Sequence, residues 1–276
     1  MSTTTIPTTT DGAAAAPFAV REVRVHPVSD AMTIAWRNLL NIARNPQLLV
    51  FATIQPVIFV LMFRYVFGGS ITVPGYKHYV DYLMPGIFVQ TVVFGALTTG
   101  VGLADDLQKG LVERFRSLPM ARSAVLVGRT LADLVRNIFV VLLMAAMGFL
   151  VGWHVGTNFI ALLAGLALVV LFAYALSWVF AIVGMSVPNG ETAQAASFPI
   201  LAPLVFASSA FVSVDRMPGP LRAFAKHQPV SIVVNAVRDL THGGATTSDL
   251  LWSLGWIVAI IAVCAPLAVA KYRKSV

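Results

Sequence analysis

Five stretches of this chain contain no Asp, Glu, Lys or Arg: residues 45–63, 82–104, 137–190, 192–214 and 250–270. An ionised side chain at the centre of a bilayer is costly, so long charge-free windows mark candidate membrane spans. A helix rises 1.5 Å per residue, and about 20 residues cross a hydrocarbon core of about 30 Å. Four of the windows hold one span each. The window 137–190 is long enough for two, and it is interrupted by the polar turn Trp153-His154-Val155-Gly156-Thr157-Asn158. The expectation is an all-α integral membrane protein with six transmembrane helices, at about 47–67, 83–104, 131–153, 159–184, 192–213 and 250–270.

Composition agrees and removes other classes. Only 11% of residues are charged and 58% are hydrophobic, against about 25% charged in soluble domains. The single cysteine, Cys264, lies in an apolar run, which rules out a disulfide scaffold. The net charge of +7 is dispersed between apolar runs as topology signals are, so it does not indicate nucleic-acid binding. Six spans put both termini on one side. With the N-terminus inside, the inner segments hold twelve Lys and Arg and the outer ones five. Both termini are therefore expected in the cytoplasm of a cell whose plasma membrane holds the chain. Residues 1–28 read as a disordered tail and 29–276 as the transmembrane domain.

Three segments outside the spans carry further pattern. From Ser29 to Asn45, Met32, Trp36, Leu39, Leu40 and Ala43 recur at helical spacing, and Pro46 ends the run. This predicts an amphipathic helix in the membrane interface with Trp36 as headgroup anchor, or an extension of the first span. In the loop from Asp105 to Arg129, Leu107, Leu111, Phe115 and Leu118 form one apolar stripe beside Lys109, Glu113, Arg114 and Arg116, and Pro119 stops it. Such a stripe suits a groove on a soluble partner or a bed of lipid headgroups. Between Val212 and Asp249, prolines divide two short apolar helices: Met217-Pro218-Gly219-Pro220 precedes Leu221 and Phe224, and His227-Gln228-Pro229 precedes Val230 to Val237. A re-entrant outer hairpin between spans five and six is predicted, with a small extracellular cap as the other arrangement. On either, Ala225 and Ser231 should be reachable from outside.

No catalytic or metal motif is visible. His26, His78, His154, His227 and His242 are dispersed, and there is no Gly-x-x-x-x-Gly-Lys-Ser/Thr phosphate loop. The span centres lack the ionisable residue that ion-coupled carriers use. Asp133, Arg136 and Arg129 form a row at the inner end of the third span, suited to internal pairing. Gly148, Gly152 and Gly156 repeat every four residues and predict a face for close helix packing.

The run Gly110-Leu111-Val112-Glu113-Arg114-Phe115-Arg116-Ser117-Leu118-Pro119-Met120, followed by Leu126-Val127-Gly128-Arg129, resembles the ABC type-2 exporter permeases, especially the daunorubicin-resistance type of actinobacterial drug-efflux subunit. Met217-Pro218 and His227-Gln228-Pro229-Val230-Ser231 add to that resemblance, which covers nearly all of the chain after about residue 29. It implies that the stripe loop is a coupling helix seated in a cleft of a separate ATP-binding subunit, with Leu107, Leu111, Glu113, Arg114, Phe115, Arg116, Ser117, Leu118 and Pro119 making the contact. Glu191 in the next inner loop is expected to add to it. The resemblance further implies two permease chains with two ATP-binding chains, ATP and Mg bound by the latter, and a small hydrophobic or amphiphilic cargo, drug or lipid, moved outward. The outer hairpin, through Met217, Pro218, Phe224, His227, Gln228 and Pro229, is then expected to cap the exit. A stand-alone secondary carrier or channel for a lipophilic solute is the alternative.

Overall fold

The computed structural model describes residues 27–44, 46–67, 73, 75–76, 78–110, 122–214, 217–244 and 247–275. Among them the chain is helical throughout, with no strand. The helices are α1 (Pro27–Arg44), α2 (Pro46–Met62, continued by a π-helical turn Phe63–Phe67), α3 (Tyr79–Gln108) and α4 (Arg122–Leu150), then α5 (Phe159–Gly184), α6 (Gly190–Phe206), α7 (Gly219–His227), α8 (Pro229–His242) and α9 (Thr247–Ser275). Most of the expected tail, residues 1–26, lies outside the described residues, as does the loop 111–121.

Four helices are long and apolar enough to cross a membrane: Tyr79–Gln108, Ala124–Leu150, Phe159–Gly184 and Thr247–Lys274. α2 and α6, at 17 residues each, are shorter. α6 nevertheless has contacts at both ends of the bundle. At its proximal end, where α1 lies, Leu103, Leu126, Trp178, Met185, Ala268 and Tyr272 pack together and Lys271 donates to the Ser186 hydroxyl at 2.6 Å. α6 starts here, its Gly190 N–H bonded to Asp105 at 3.0 Å. At the distal end the Tyr82 hydroxyl donates to the Ser209 carbonyl just beyond α6, at 3.1 Å. Phe63, just past α2, stacks on Phe211 with ring centroids 5.4 Å apart.

α3 is the central strut, packed on α5, α6, α4 and α8. α3 is buried along most of its length, while α5 is apolar around its whole circumference and exposes Leu163 and Leu171 on its outer side, the pattern of a membrane span. Where they cross, a Cβ on Gly184 would lie 2.2 Å from the Gly100 carbonyl oxygen, so only glycine permits this approach. Two asparagines start the neighbouring helices: the Asn158 side chain accepts the Ala161 N–H and that of Asn189 the Thr192 N–H, each at 2.8 Å. α6 carries Pro199 and Pro203 within its length.

α1 has two apolar faces. Ala31, Ile34 and Ala35 are buried against α4, while Met32 and Trp36, at 62% and 64% exposure, form the outward stripe that the sequence marks. The glycine repeat does not make a helical face. α4 ends at Leu150, so Gly152, with φ +91°, and Gly156 lie in the following turn. Only Gly148 is in the helix, where a Cβ would strike Met84 at 2.6 Å. All three positions thus serve contacts within the chain: Gly156 donates its N–H to Thr241 O at 2.9 Å.

Candidate functional site

A cavity of about 360 Å³ lies between α2, α3, α4 and α6. Phe59, Phe94 and Phe198 supply its aromatic wall, and Gln55, Gln90 and Gln194 bring side-chain amides from three different helices. On the α4 side are Arg136 and Asn137. The Arg136 guanidinium is held by protein groups on both terminal nitrogens. Nη2 donates to the Gly95 carbonyl at 2.7 Å, Nη1 donates to the Thr98 hydroxyl, and Asp133 Oδ1 lies 3.5 Å away. Asp133 Oδ2 in turn accepts the Thr99 hydroxyl at 2.6 Å. The internal pairing expected for Asp133 and Arg136 is present, while Arg129 pairs with Asp106 across to α3.

Asn137 differs. Its residue is 2% exposed, yet its Nδ2 has no hydrogen-bond partner among the described residues. A buried amide N–H left unpaired costs about 1–3 kcal/mol, so this donor beside the cavity would gain from an acceptor that a shift of the wall brought to it. The cavity is therefore apolar with a few convergent amides and a neutralised charge pair, the make-up of a pocket for an uncharged or weakly charged amphiphile.

At the proximal end, Leu107 is half-buried on the last turn of α3, and a turn at Lys109 and Gly110 (φ +65°) separates it from Leu111. The stripe therefore does not start as one helix at Leu107. Leu111, Glu113, Arg114, Phe115, Arg116, Ser117, Leu118 and Pro119 lie outside the described residues. Glu191 is exposed in the first turn of α6, next to the Gly190 that bonds Asp105, so it and Leu107 share this end.

The distal segment forms two short helices broken at Gln228, with α8 running on to His242. Pro218 is the N-cap of α7, Met217 packs on Val214 and Ala225, and Pro229 opens α8. Gln228 Nε2 donates to Ala207 O at 2.5 Å, tying the hairpin to the end of α6. Phe224 and His227 are exposed. Ala225 and Ser231, expected to be accessible, are buried at 0% and 1%, because they face the core while Ala223 and Lys226 face outward.

Arg238, which follows His227-Gln228-Pro229-Val230-Ser231 in the sequence and belongs to the same resemblance, was given no role by the sequence. Its guanidinium, 6% exposed, donates to the Tyr82 carbonyl at 3.2 and 3.3 Å, to Ser209 O at 2.9 Å and to Asn235 Oδ1 at 3.0 Å. It also sits 3.7 Å above the Tyr82 ring. Its charge is held by carbonyl dipoles and a ring face, a fork geometry that suits Arg and not Lys. Its spacing of one turn from Asn235 hints at the bond between them. Nearby, burial holds the His242 imidazole below its usual pKa, with the Asp81 carboxylate opposing. His78 and His154, 76 positions apart in sequence, also meet here with ring centroids 5.8 Å apart.

Residues 30–241 match the family model described as ABC-2 type transporter. The chain is 32% identical over 258 residues to a daunorubicin resistance ABC transporter permease protein of Streptomyces coeruleorubidus, covering 92% of this chain and 89% of that one. It is 26% identical over 240 residues to a protein of Mycobacterium tuberculosis named probable doxorubicin resistance ABC transporter permease, covering 87% of each. A doxorubicin resistance ABC transporter permease of the same organism is 25% identical over 195 residues, covering 67% of this chain and 66% of that one.

Proposed function

Because the chain belongs to the ABC-2 type transporter family, it is a multi-pass membrane subunit of an ABC exporter, and we propose that it moves an amphiphilic, antibiotic-like drug or lipid outward through the cavity between α2, α3, α4 and α6. The observation that carries this reading is the buried, unpartnered Asn137 amide in an aromatic wall. A cargo carbonyl or hydroxyl would satisfy that donor, while Phe59, Phe94 and Phe198 take its rings.

Six crossings fit this role. The support is that α6, though short, has contacts at both ends of the bundle, and that Phe63, just past α2, stacks at the distal end. The excess of Lys and Arg on the inner segments supports a cytoplasmic proximal end carrying both termini. The loop 110–120 then faces the ATP-binding subunits, two per assembly, which hold ATP and Mg. A second permease chain would cover the apolar flank of the cavity, where Ile54, Ile58, Phe198 and Phe206 are exposed. α7 and α8 would stand as a re-entrant cap at the exit.

A secondary carrier is the weaker reading, because the charges nearest the cavity, Asp133 and Arg136, already satisfy each other and their neighbours. Asn137→Leu tests the assignment. Efflux of a sensitive drug should fall about tenfold, the scale of about 1.4 kcal/mol, with membrane insertion and ATPase association intact. A drug-susceptibility panel on a deletion strain separates cargoes: increased sensitivity to lipophilic antibiotics supports drug export, and unchanged sensitivity with altered surface lipids supports lipid export. Failure to retain an ATPase subunit in mild detergent would remove the ATP-driven reading altogether.

A further inference from the structure

Away from the cavity, three donor side chains converge at the distal end: His78 immediately before α3, Asp81 in its first turn, and His154 in the turn between α4 and α5. One donor atom from each lies within 4.8 Å of the others. The carboxylate is the fixed member. The Asp81 side chain is 8% exposed, its Oδ1 accepts the His154 backbone N–H at 2.9 Å, and Oδ2 is 3.6 Å from His78 Nδ1. That last separation is too long for a hydrogen bond. Among the described residues no Lys or Arg lies within salt-bridge reach of Asp81. A nearly buried carboxylate with one oxygen on a backbone N–H and the other 3.6 Å from an imidazole is an anionic donor that a cation there would neutralise.

We propose that His78, Asp81 and His154 form a binding site for a Zn²⁺-class divalent cation, with the fourth position open to water. Two imidazoles and one carboxylate are the borderline donor set that Zn²⁺ takes, and three protein ligands leave one position free. Bonds of about 2.0–2.2 Å put neighbouring ligand atoms about 3.3 Å apart, so the donors must draw in by at most about 1.5 Å. The two rings can make that adjustment, because both are exposed and side-chain rotation is open to them. The carboxylate need not move, since the His154 N–H already orients it as an outer-shell donor does in built metal sites. Binding joins the start of α3 to the α4–α5 turn, contacts remote in sequence. The site shares no residue with the cavity and does not depend on the cargo, so a chain that binds Zn²⁺ without exporting drug would fail the transport reading alone.

The test is Zn²⁺ titration of the full-length chain, tag-free and stripped with chelator, in lipid nanodiscs. One saturable equivalent per chain in the micromolar range is expected, together with a higher thermal unfolding midpoint. His78→Ala and His154→Ala should each weaken uptake at least tenfold, while His227→Ala on the exposed face of α7 should not. X-ray absorption on the Zn²⁺-loaded wild type supplies a readout that needs no variant: two imidazoles and one carboxylate support the site, and any other ligand set overturns it. Absence of saturable uptake, or equal uptake by the His78→Ala/His154→Ala double variant, also overturns it and leaves an ion pair at a helix start.

Discussion

The Asp105 carboxylate accepts the Gly190 N–H at 3.0 Å, so the last turn of α3 and the first turn of α6 are held as one piece. Asp105 leads into the loop proposed to meet the ATPase, and α6 carries the cavity residues Gln194 and Phe198. Removing a side-chain acceptor at a helix start costs about 0.5–2 kcal/mol. Asp105→Ala should therefore leave expression and ATPase association normal while drug efflux falls several-fold in transport assays on membrane vesicles. Unchanged efflux would mean that the tie is structural only.

Phe115 and Arg116 test the other half of that connection. Burying an aromatic ring in a partner's groove is worth about 1.5–3 kcal/mol, and aromatics and arginines are frequent interface hot spots. Phe115→Ala or Arg116→Glu should weaken ATPase binding about tenfold in co-purification, with the permease still inserted. Retained association and efflux in both variants would assign the loop to the lipid headgroups.

Arg238 offers a stability test. Arg238→Ala removes the charged hydrogen bonds to the carbonyls of Tyr82 and Ser209, each worth about 1.5–3 kcal/mol, although the Ser209 carbonyl keeps the Tyr82 hydroxyl. Little monodisperse protein is expected by fluorescence-detected size exclusion. Arg238→Lys keeps the charge but loses the planar fork, so it should recover only part of the yield.

Topology can be read by labelling with a membrane-impermeant thiol reagent in a Cys264→Ser background. Ala223→Cys, on the exposed face of α7, should react from outside, and Ala225→Cys, at 0% exposure, should not. Reaction of Ala223→Cys from the cytoplasmic side alone would invert the orientation of the whole chain.

The elements were largely legible because bilayer physics writes them in composition: the charge-free windows overlap the apolar helices, the polar turn ending at Asn158 precedes α5, and prolines stand on either side of α7. Contacts between elements were not. The spacing of Gly148, Gly152 and Gly156 mimics a helical face, but a positive φ at Gly152 had already ended the helix, and no periodicity reports that. Ala225 and Ser231 sit in an outer segment by sequence, yet their faces are decided by what α7 and α8 pack against. The cavity takes its residues from four helices, so its pattern exists only after assembly. His78 and His154 were dispersed for the same reason.

Pro199 and Pro203 give α6 a mechanical asymmetry. Neither has an N–H to offer, so the carbonyls of Ala195 and Pro199 lose their helical partners at mid-length, where a helix flexes most cheaply. One face of α6, Ala193, Ser197, Leu201 and Val205, is buried along the whole helix, whereas Gln194 and Phe198 are exposed on the cavity side. A push delivered at Gly190 is then not transmitted as the slide of a stiff rod. It would bend the helix at the prolines, and the cavity residues Gln194 and Phe198, just before them, are where such a bend would be felt.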